Sequence, residues 1–345
     1  MRSFRIDKGI TDVVDNINAI IEDKDIDMVV EVMGGCGIVK TVVLESLKCG
    51  KSVVSANKVL IAECVDEIKN AVSAGEGKAI FAYEAAVCGG IPIIQSLQRC
   101  VSDDIVHEVM GICNGTTNDM LGKMELGADY AEVLKEAQDL GFAEADPADD
   151  VEGYDVRAKI SIFTKVVFGT TVPVESIPCK GITDVSSVDF GYAKLLGEGC
   201  TIKFIGTATR LSEYGEHEGA ISVYVAPVIV PLKDLLASAR GADNAVAVKS
   251  SNLGVKLYTG PRTGRFPTAN SVVADIFRVA SGNASSDPFP LTSKIGINND
   301  YSSEFYIRIS FQDELGIIKR VGEIAEESGM SSDCMSRDGS NSIVL

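Results

Sequence analysis

Between residues 25 and 87 short apolar stretches alternate with longer amphipathic ones, and this alternation restricts the fold more than any other feature. DIDMVVEVMGG (25–35), SVVSANK (52–58) and KAIFAYEAAV (78–87) read as strands, while KTVVLESLKCGK (40–51) and residues 59–75 read as helices. Strands that are apolar along their length must be covered on both faces, which predicts a parallel sheet with helical crossovers. A further helix is expected over 11–24, where Val13, Val14, Ile17, Ile20 and Ile21 recur at helical spacing. In sheets of this kind ligands gather beyond the carboxyl ends of the strands. Three such ends follow: Gly34–Gly35, Ser55–Lys58 and Glu84–Gly90. Lys58 either points into the crevice above the sheet, toward a phosphate or carboxylate, or flanks the next helix as a surface lysine.

The character changes near residues 105–120. CGGIPIIQSLQRC (88–100) opens a helix with glycines and Pro92, and a strand over 104–116 runs into the polar block Asn114 to Asn118. Helices are expected at 129–140 and 156–169, and a β-to-α crossover over 181–200. Strands follow at 201–211 and 220–231, with a short helix at 232–239 and a strand pair over 244–261. This is α+β patterning. Gly260 and Gly264 suit a loop over a ligand, and the helix after them can return to the first unit. The expected division is a first domain over 1–110 with its return helix at 266–280, a second over 111–265, a polar linker over 281–303, and a tail over 304–345.

Residues 143–159, AEADPADDVEGYDVRAK, carry six carboxylates followed by Arg157 and Lys159. Asp155 and Lys159 are four apart, so on a helix they share one face. The segment has two readings. It is either a reactive cluster, or a solvated acidic loop capping a helix N-terminus.

Net charge is -17, from 49 acidic and 32 basic residues, which disfavours nucleic acid and anionic membranes as partners. No run of 18 uncharged apolar residues exists, so no membrane-spanning helix is expected. The amino-terminal residues have no apolar signal region. Nine cysteines are scattered without a CxxC, which suggests reduced thiols and a cytoplasmic protein. The two histidines, His107 and His217, stand in no nucleophile motif and are expected to be structural or surface residues. GxGxxG, the usual opening of a dinucleotide-binding domain, occurs nowhere. The first domain is therefore expected to be an incomplete Rossmann-like parallel sheet, without its glycine-rich strand-turn-helix.

Six blocks in order carry a resemblance. They are DIDMVVEVMGG (25–35), GKSVVSANKVLIA (50–62), YEAAVCGGIPII (83–94), GICNGTTNDML (111–121), EAQDLGFAEADPADDVEGYDVRAK (136–159) and GPRTGRFPTANSVVADI (260–276). With them the chain resembles homoserine dehydrogenases over roughly residues 12–280. DELGIIKRV (313–321) resembles part of an ACT domain, so the tail is expected to be a partial ACT-like βαβ segment.

The resemblance implies an α/β fold with an α+β catalytic and dimerisation domain. It also implies interconversion of L-homoserine and L-aspartate 4-semialdehyde with NADP or NAD. Lys159 would be the acid/base, Lys58 a second lysine at the substrate oxygen, and Asp155 a substrate ligand that orients Lys159. Glu144 and Asp150 would bind substrate. Gly34, Gly35, Ser55, Lys58 and Gly264 would line the cofactor crevice. Glu84, with the carbonyls of Val87, Gly89 and Ile91, would hold a monovalent cation such as sodium. A homodimer or higher homo-oligomer is implied as well. Four departures stand out: Phe142 replaces a tyrosine, Cys88 a glycine, and Arg262 and Arg265 each a glycine. Alongside the enzyme stands a second reading, an incomplete or non-catalytic paralogue serving as an interaction or regulatory protein.

Overall fold

The computed structural model describes residues 12–211, 219–293, 295–299, 304–310, 316–329, 336–337 and 342–344. His217, Cys334 and residues 1–11, on which the targeting reading rests, lie outside the described residues.

The first unit contains α1 (Asn18–Ile21), β1 (Met28–Glu31), α2 (Gly37–Lys48), β2 (Ser52–Ser55), α3 (Lys58–Glu63), α4 (Val65–Ala74) and β3 (Phe81–Ala82). Its strands form a parallel sheet in the order β1-β2-β3. Val53 and Val54 of the central strand are both fully buried, on opposite faces. Val53 joins Val43, Leu47 and Ile68 of α2 and α4, whereas Val54 joins Val272 and Val279 of a helix far along the chain. Burial on both faces is why β2 carries no polar alternation.

The chain continues through α5 (Ile93–Asp103), β4 (Val106–Ile112), α6 (Gly115–Glu125), α7 (Tyr130–Asp139), α8 (Ala148–Val151), α9 (Tyr154–Phe168) and α10 (Ser187–Ala193). Then come β5 (Cys200–Arg210), β6 (Ala220–Pro231), β7 (Asn244–Ser250), β8 (Gly254–Gly260), α11 (Arg265–Ala280) and β9 (Gly296–Ile297). These strands form a second sheet in the order β8-β7-β4-β5-β6-β9, antiparallel except for β6 with β9. α11 supplies Val272 and Val279 to the far face of the first sheet. Helix α9 crosses the second sheet at Gly206, where a Cβ would come within 2.9 Å of Val156. Nearly all of α9 is buried, including Asp155 and Lys159.

Several expectations are corrected. The first domain does contain a strand, a glycine turn and a helix: β1 runs into Gly34 and Gly35, both with left-handed φ (82° and 72°), and α2 starts at Gly37. The glycines of this turn follow GGxG spacing, which a search for GxGxxG passes over. In the tail the expected strand-helix-strand order is followed by one more strand. The tail comprises β10 (Arg308–Ser310), α12 (Ile317–Glu327), β11 (Ser336–Arg337) and β12 (Ser342–Val344), with the strands antiparallel in the order β10-β12-β11. Only four residues of the expected amino-terminal helix are helical, because Val13 and Val14 face solvent. The helix over 59–75 is two helices broken at Cys64. Among the described residues the segment 181–200 contributes only α10 and the first residue of β5.

Gly153 makes α9 possible. It is the N-cap with φ 87°, and a Cβ there would meet Phe204 at 2.6 Å and the Cys179 Sγ at 2.9 Å. Gly141 is also left-handed, at φ 72°, but faces open space. Gly153→Ala is expected to cost about 2–4 kcal/mol from backbone strain and overpacking together. Gly141→Ala should cost only the backbone part, about 1–2 kcal/mol. Urea unfolding of the two variants measures the difference.

Candidate functional site

Four of the expected site residues meet where the first sheet ends against α9. Asn57 caps α3, its side-chain oxygen accepting the Leu60 N–H at 3.1 Å, and this places Lys58 at the first turn. The Lys58 ammonium lies 2.8 Å from Asp155 Oδ1. The other oxygen, Oδ2, lies 2.7 Å from the Lys159 ammonium. Lys159 also donates to the Cys113 carbonyl at 2.7 Å, leaving one N–H without a partner among the described residues. One carboxylate therefore joins two lysines, one from each half of the molecule. Asn114 completes the cluster through Nδ2, which donates to Asp150 Oδ1 at 2.6 Å and to Asp155 Oδ2 at 3.0 Å.

Burial sets the electrostatics. Asp155 is 7% exposed and Lys159 6%. Burial by itself would raise the Asp155 carboxyl, but the charges of Lys159 and Lys58 overcome it, and its pKa falls to about 2. Burial pushes Lys159 downward, yet the Asp155 charge outweighs it and the ammonium is held above the ordinary lysine value. Asp150 is half-buried, and desolvation pushes its carboxyl upward. Such opposed shifts on neighbouring groups suit proton transfer at a polarised oxygen.

The sequence-predicted residues divide cleanly. Lys58, Asp150, Asp155 and Lys159 are brought together, whereas the Glu144 side chain is exposed and hydrogen-bonds to none of them. At the strand ends, Glu31 accepts the N–H groups of Met33 and Gly34 at 2.8 and 3.1 Å. Its second oxygen accepts the Ser55 hydroxyl at 2.6 Å. Ser55 is thus fully buried and committed to Glu31, while Asn57 Nδ2 donates to the Gly35 carbonyl at 2.7 Å. Nothing lies within 4 Å of where a Cβ would stand at Gly34 or Gly35. Open space over a glycine turn at a strand's carboxyl end fits a dinucleotide. Gly264 caps α11 in an extended conformation.

Glu84 is buried, with its oxygens accepting the Ile94 and Gln95 N–H groups at 2.7 and 3.1 Å at the start of α5. Burial raises its pKa to about 7 despite these bonds. The Gly89 carbonyl accepts the Ser271 hydroxyl at 2.8 Å, and the Ile91 carbonyl accepts the Ile93 N–H at 2.7 Å. Cys88, between Val87 and Gly89, keeps a left-handed φ of 54°, the conformation that favours glycine. A carboxylate and backbone carbonyl oxygens are hard-oxygen donors, the type that binds small hard cations.

Sequence reasoning missed three residues: Asn114 as the clamp on both aspartates, and Glu31 and Asn57 as the ties across the strand ends. Their signal was faint. Each is a single polar residue where an apolar strand ends or the next helix begins.

A strand-glycine turn-helix, a helical sheet cover and a buried lysine-carboxylate cluster at the strand ends define an NAD(P)-dependent oxidoreductase. A family model described as "Homoserine dehydrogenase, NAD binding domain" matches residues 5–82, and one described as "Homoserine dehydrogenase" matches residues 92–277. The homoserine dehydrogenase of Corynebacterium glutamicum is 36% identical over 319 residues, which span 91% of this chain and 71% of that protein. The crystal structure of a homoserine dehydrogenase from Thiobacillus denitrificans superposes with a TM-score of 0.86 at 34% identity, covering 96% of this chain and 77% of that one. A hyperthermophilic archaeal homoserine dehydrogenase in complex with NADPH superposes with a TM-score of 0.65 at 25% identity, over 77% and 75% of the two chains.

The chain belongs to the homoserine dehydrogenase family, NAD(P)-dependent enzymes that interconvert L-homoserine and L-aspartate 4-semialdehyde. The match of the NAD-binding model to residues 5–82 overturns the expectation of an incomplete nucleotide-binding domain, and with it the reading as an incomplete paralogue. Among the described residues no helix is long and apolar enough to cross a membrane.

The electrostatics lead to a pH prediction. In Asp155→Asn the burial of Lys159 remains while the charge that offsets it is lost. The lysine pKa should then drop below its ordinary value, and a rate of homoserine oxidation that depends on neutral Lys159 should rise at lower pH than in the parent. A pH–rate profile of the variant against the parent tests this.

Proposed function

We propose that Lys159 is the acid/base at the substrate's reacting oxygen, and that Lys58 stabilises charge on the same oxygen. The observation that carries this reading is the bridging of both lysines by Asp155. The bound nicotinamide cofactor supplies or accepts the hydride. In the reducing direction the aldehyde oxygen becomes an alkoxide as hydride adds to its carbon. An ammonium held charged by Asp155 stabilises that oxygen and then gives it a proton. In the oxidising direction the same lysine takes the hydroxyl proton. Asp155 positions both lysines, and Asp150 and Glu144 offer carboxylates to the substrate ammonium. Asn114 holds the two aspartates in register, so it is a positioning residue.

On the same reading Gly34, Gly35 and Gly264 let the cofactor approach the backbone closely, Lys58 reaches its reactive end, and Ser55 fixes the crevice wall through Glu31. The domain division over 1–110, 111–265, 281–303 and 304–345, with the return helix at 266–280, belongs to this proposal. So does a cytoplasmic homodimer or higher homo-oligomer, which is supported by the thiol-bearing composition and the family resemblance.

A monovalent cation at Glu84, completed by the carbonyls of Val87, Gly89 and Ile91, would offset the desolvated carboxylate. At pH 8, thermal unfolding in sodium chloride should occur at higher temperature than in choline chloride of equal ionic strength. Equal midpoints would remove the ion from the proposal.

Lys159→Ala is expected to reduce kcat about 100- to 10,000-fold while KM for homoserine changes far less. Following reduced-cofactor absorbance with homoserine and either NAD or NADP measures both constants. An unchanged kcat would exclude Lys159 as the acid/base.

A further inference from the structure

The cations closest to the cluster leave one end of the substrate unmatched. Lys58 and Lys159 are both paired with Asp155, and Asp150, held beside Asp155 by Asn114, adds negative charge. An amino-acid substrate brings a carboxylate as well as an ammonium, and a partly desolvated carboxylate needs a partner of its own.

Arg262 is placed to be that partner. Among the described residues no carboxylate pairs with it. Its backbone runs against Gly89, where a Cβ would stand 3.0 Å from the Arg262 carbonyl carbon. Its stem lies over Gly115, where a Cβ would come within 2.6 Å of the Arg262 Cβ and 2.9 Å of its Cδ. Gly115 directly follows Asn114, the residue that clamps Asp150 and Asp155. The guanidinium stacks on the Phe142 ring with its central carbon 3.7 Å from the ring centroid. Phe142 is itself tied down through its carbonyl, which accepts the Thr116 hydroxyl at 3.1 Å. A guanidinium held along its stem and on one face has an ordered, donor-bearing edge. The two departures noted in the sequence, Phe142 and Arg262, are thus one contact.

We propose that Arg262, braced on Phe142, binds the substrate's α-carboxylate and makes the enzyme selective for a free amino acid. This rests on the homoserine dehydrogenase reading above. A planar guanidinium matches a carboxylate with two parallel N–H donors, whereas the acidic residues of the cluster serve only the ammonium end. Arg265 is exposed and lies over Phe266 instead.

The test compares the parent enzyme with Arg262→Met, which keeps an apolar stem over Gly115, and with Arg262→Lys. Each is assayed with L-homoserine and with L-homoserinamide, whose carboxylate is neutralised. Thermal unfolding checks that the variants are folded. Arg262→Met should raise KM for homoserine about 10- to 100-fold, leave KM for the cofactor within about twofold of the parent, and flatten the preference for homoserine over the amide. Arg262→Lys should recover part of that preference. An unchanged preference in Arg262→Met overturns the proposal while leaving the activity intact. A rise in cofactor KM with homoserine KM unmoved also overturns it, and assigns the arginine to a cofactor phosphate. A parent enzyme inactive with homoserine under either cofactor overturns the functional reading itself.

Discussion

The Asp155 carboxylate is the constraint on which the rest depends. It is buried and takes one ammonium on each oxygen, from α3 and from its own helix. A buried charge is tolerable only when paired, and removing one partner typically costs about 3–5 kcal/mol. The pairing therefore fastens the parallel sheet, through α3, to the helix that lies on the antiparallel sheet. On the proposed roles, cofactor half and substrate half are joined by the same bonds that assemble the acid/base groups.

Everything around Asp155 serves to keep it there. Gly153 turns the chain sharply enough for α9 to begin against Phe204, and Gly206 lets the helix lie close on β5. Asn114, at the end of β4, spends one side-chain amide on two carboxylates while its oxygen caps α6. Glu31 does equivalent work across the sheet, gathering the glycine turn and Ser55 so that Asn57, and after it Lys58, stand at a fixed height. A chain of short polar contacts at strand ends thus sets the position of the lysines, whose long side chains would otherwise lose their geometry to rotamer freedom.

Much of this was legible in the sequence. The apolar runs at β1 and β2 predicted a parallel sheet because burial on both faces leaves no other pattern. The Asp155–Lys159 spacing predicted a shared helix face because a helix allows little else. What spacing could not supply was burial: the same residues fit a solvated capping loop, and only the placement of α9 between sheet and helices buries the pair. Glu144, next to the same acids in sequence, ends up exposed because it precedes α8 in an extended turn. Gly34–Gly35 was legible as a ligand-bearing strand end but not as a nucleotide turn, because it lacks GxGxxG spacing and its left-handed φ is not written in the spacing. In the tail the order strand, helix, strand was legible, but not the pairing direction, which sequence order does not determine: β10 pairs antiparallel with β12.

On the proposed roles the two lysines also divide a task that one could perform poorly. Reduction favours a lysine that is firmly protonated, and oxidation favours one that can release its proton. A single buried ion pair would fix Lys159 in the first state, because a carboxylate 2.7 Å away in a low-dielectric site strongly favours the ammonium. Lys58 draws on the same carboxylate from its other oxygen, so Asp155 cannot concentrate its charge on Lys159 alone. Its ammonium is also about a third exposed, which lets solvent and substrate weaken or strengthen its hold. On the proposed roles, a substrate oxygen arriving between the lysines changes how Asp155 is shared. The proton affinity of Lys159 then follows the charge on that oxygen, which is what a reversible hydride transfer asks of its acid/base.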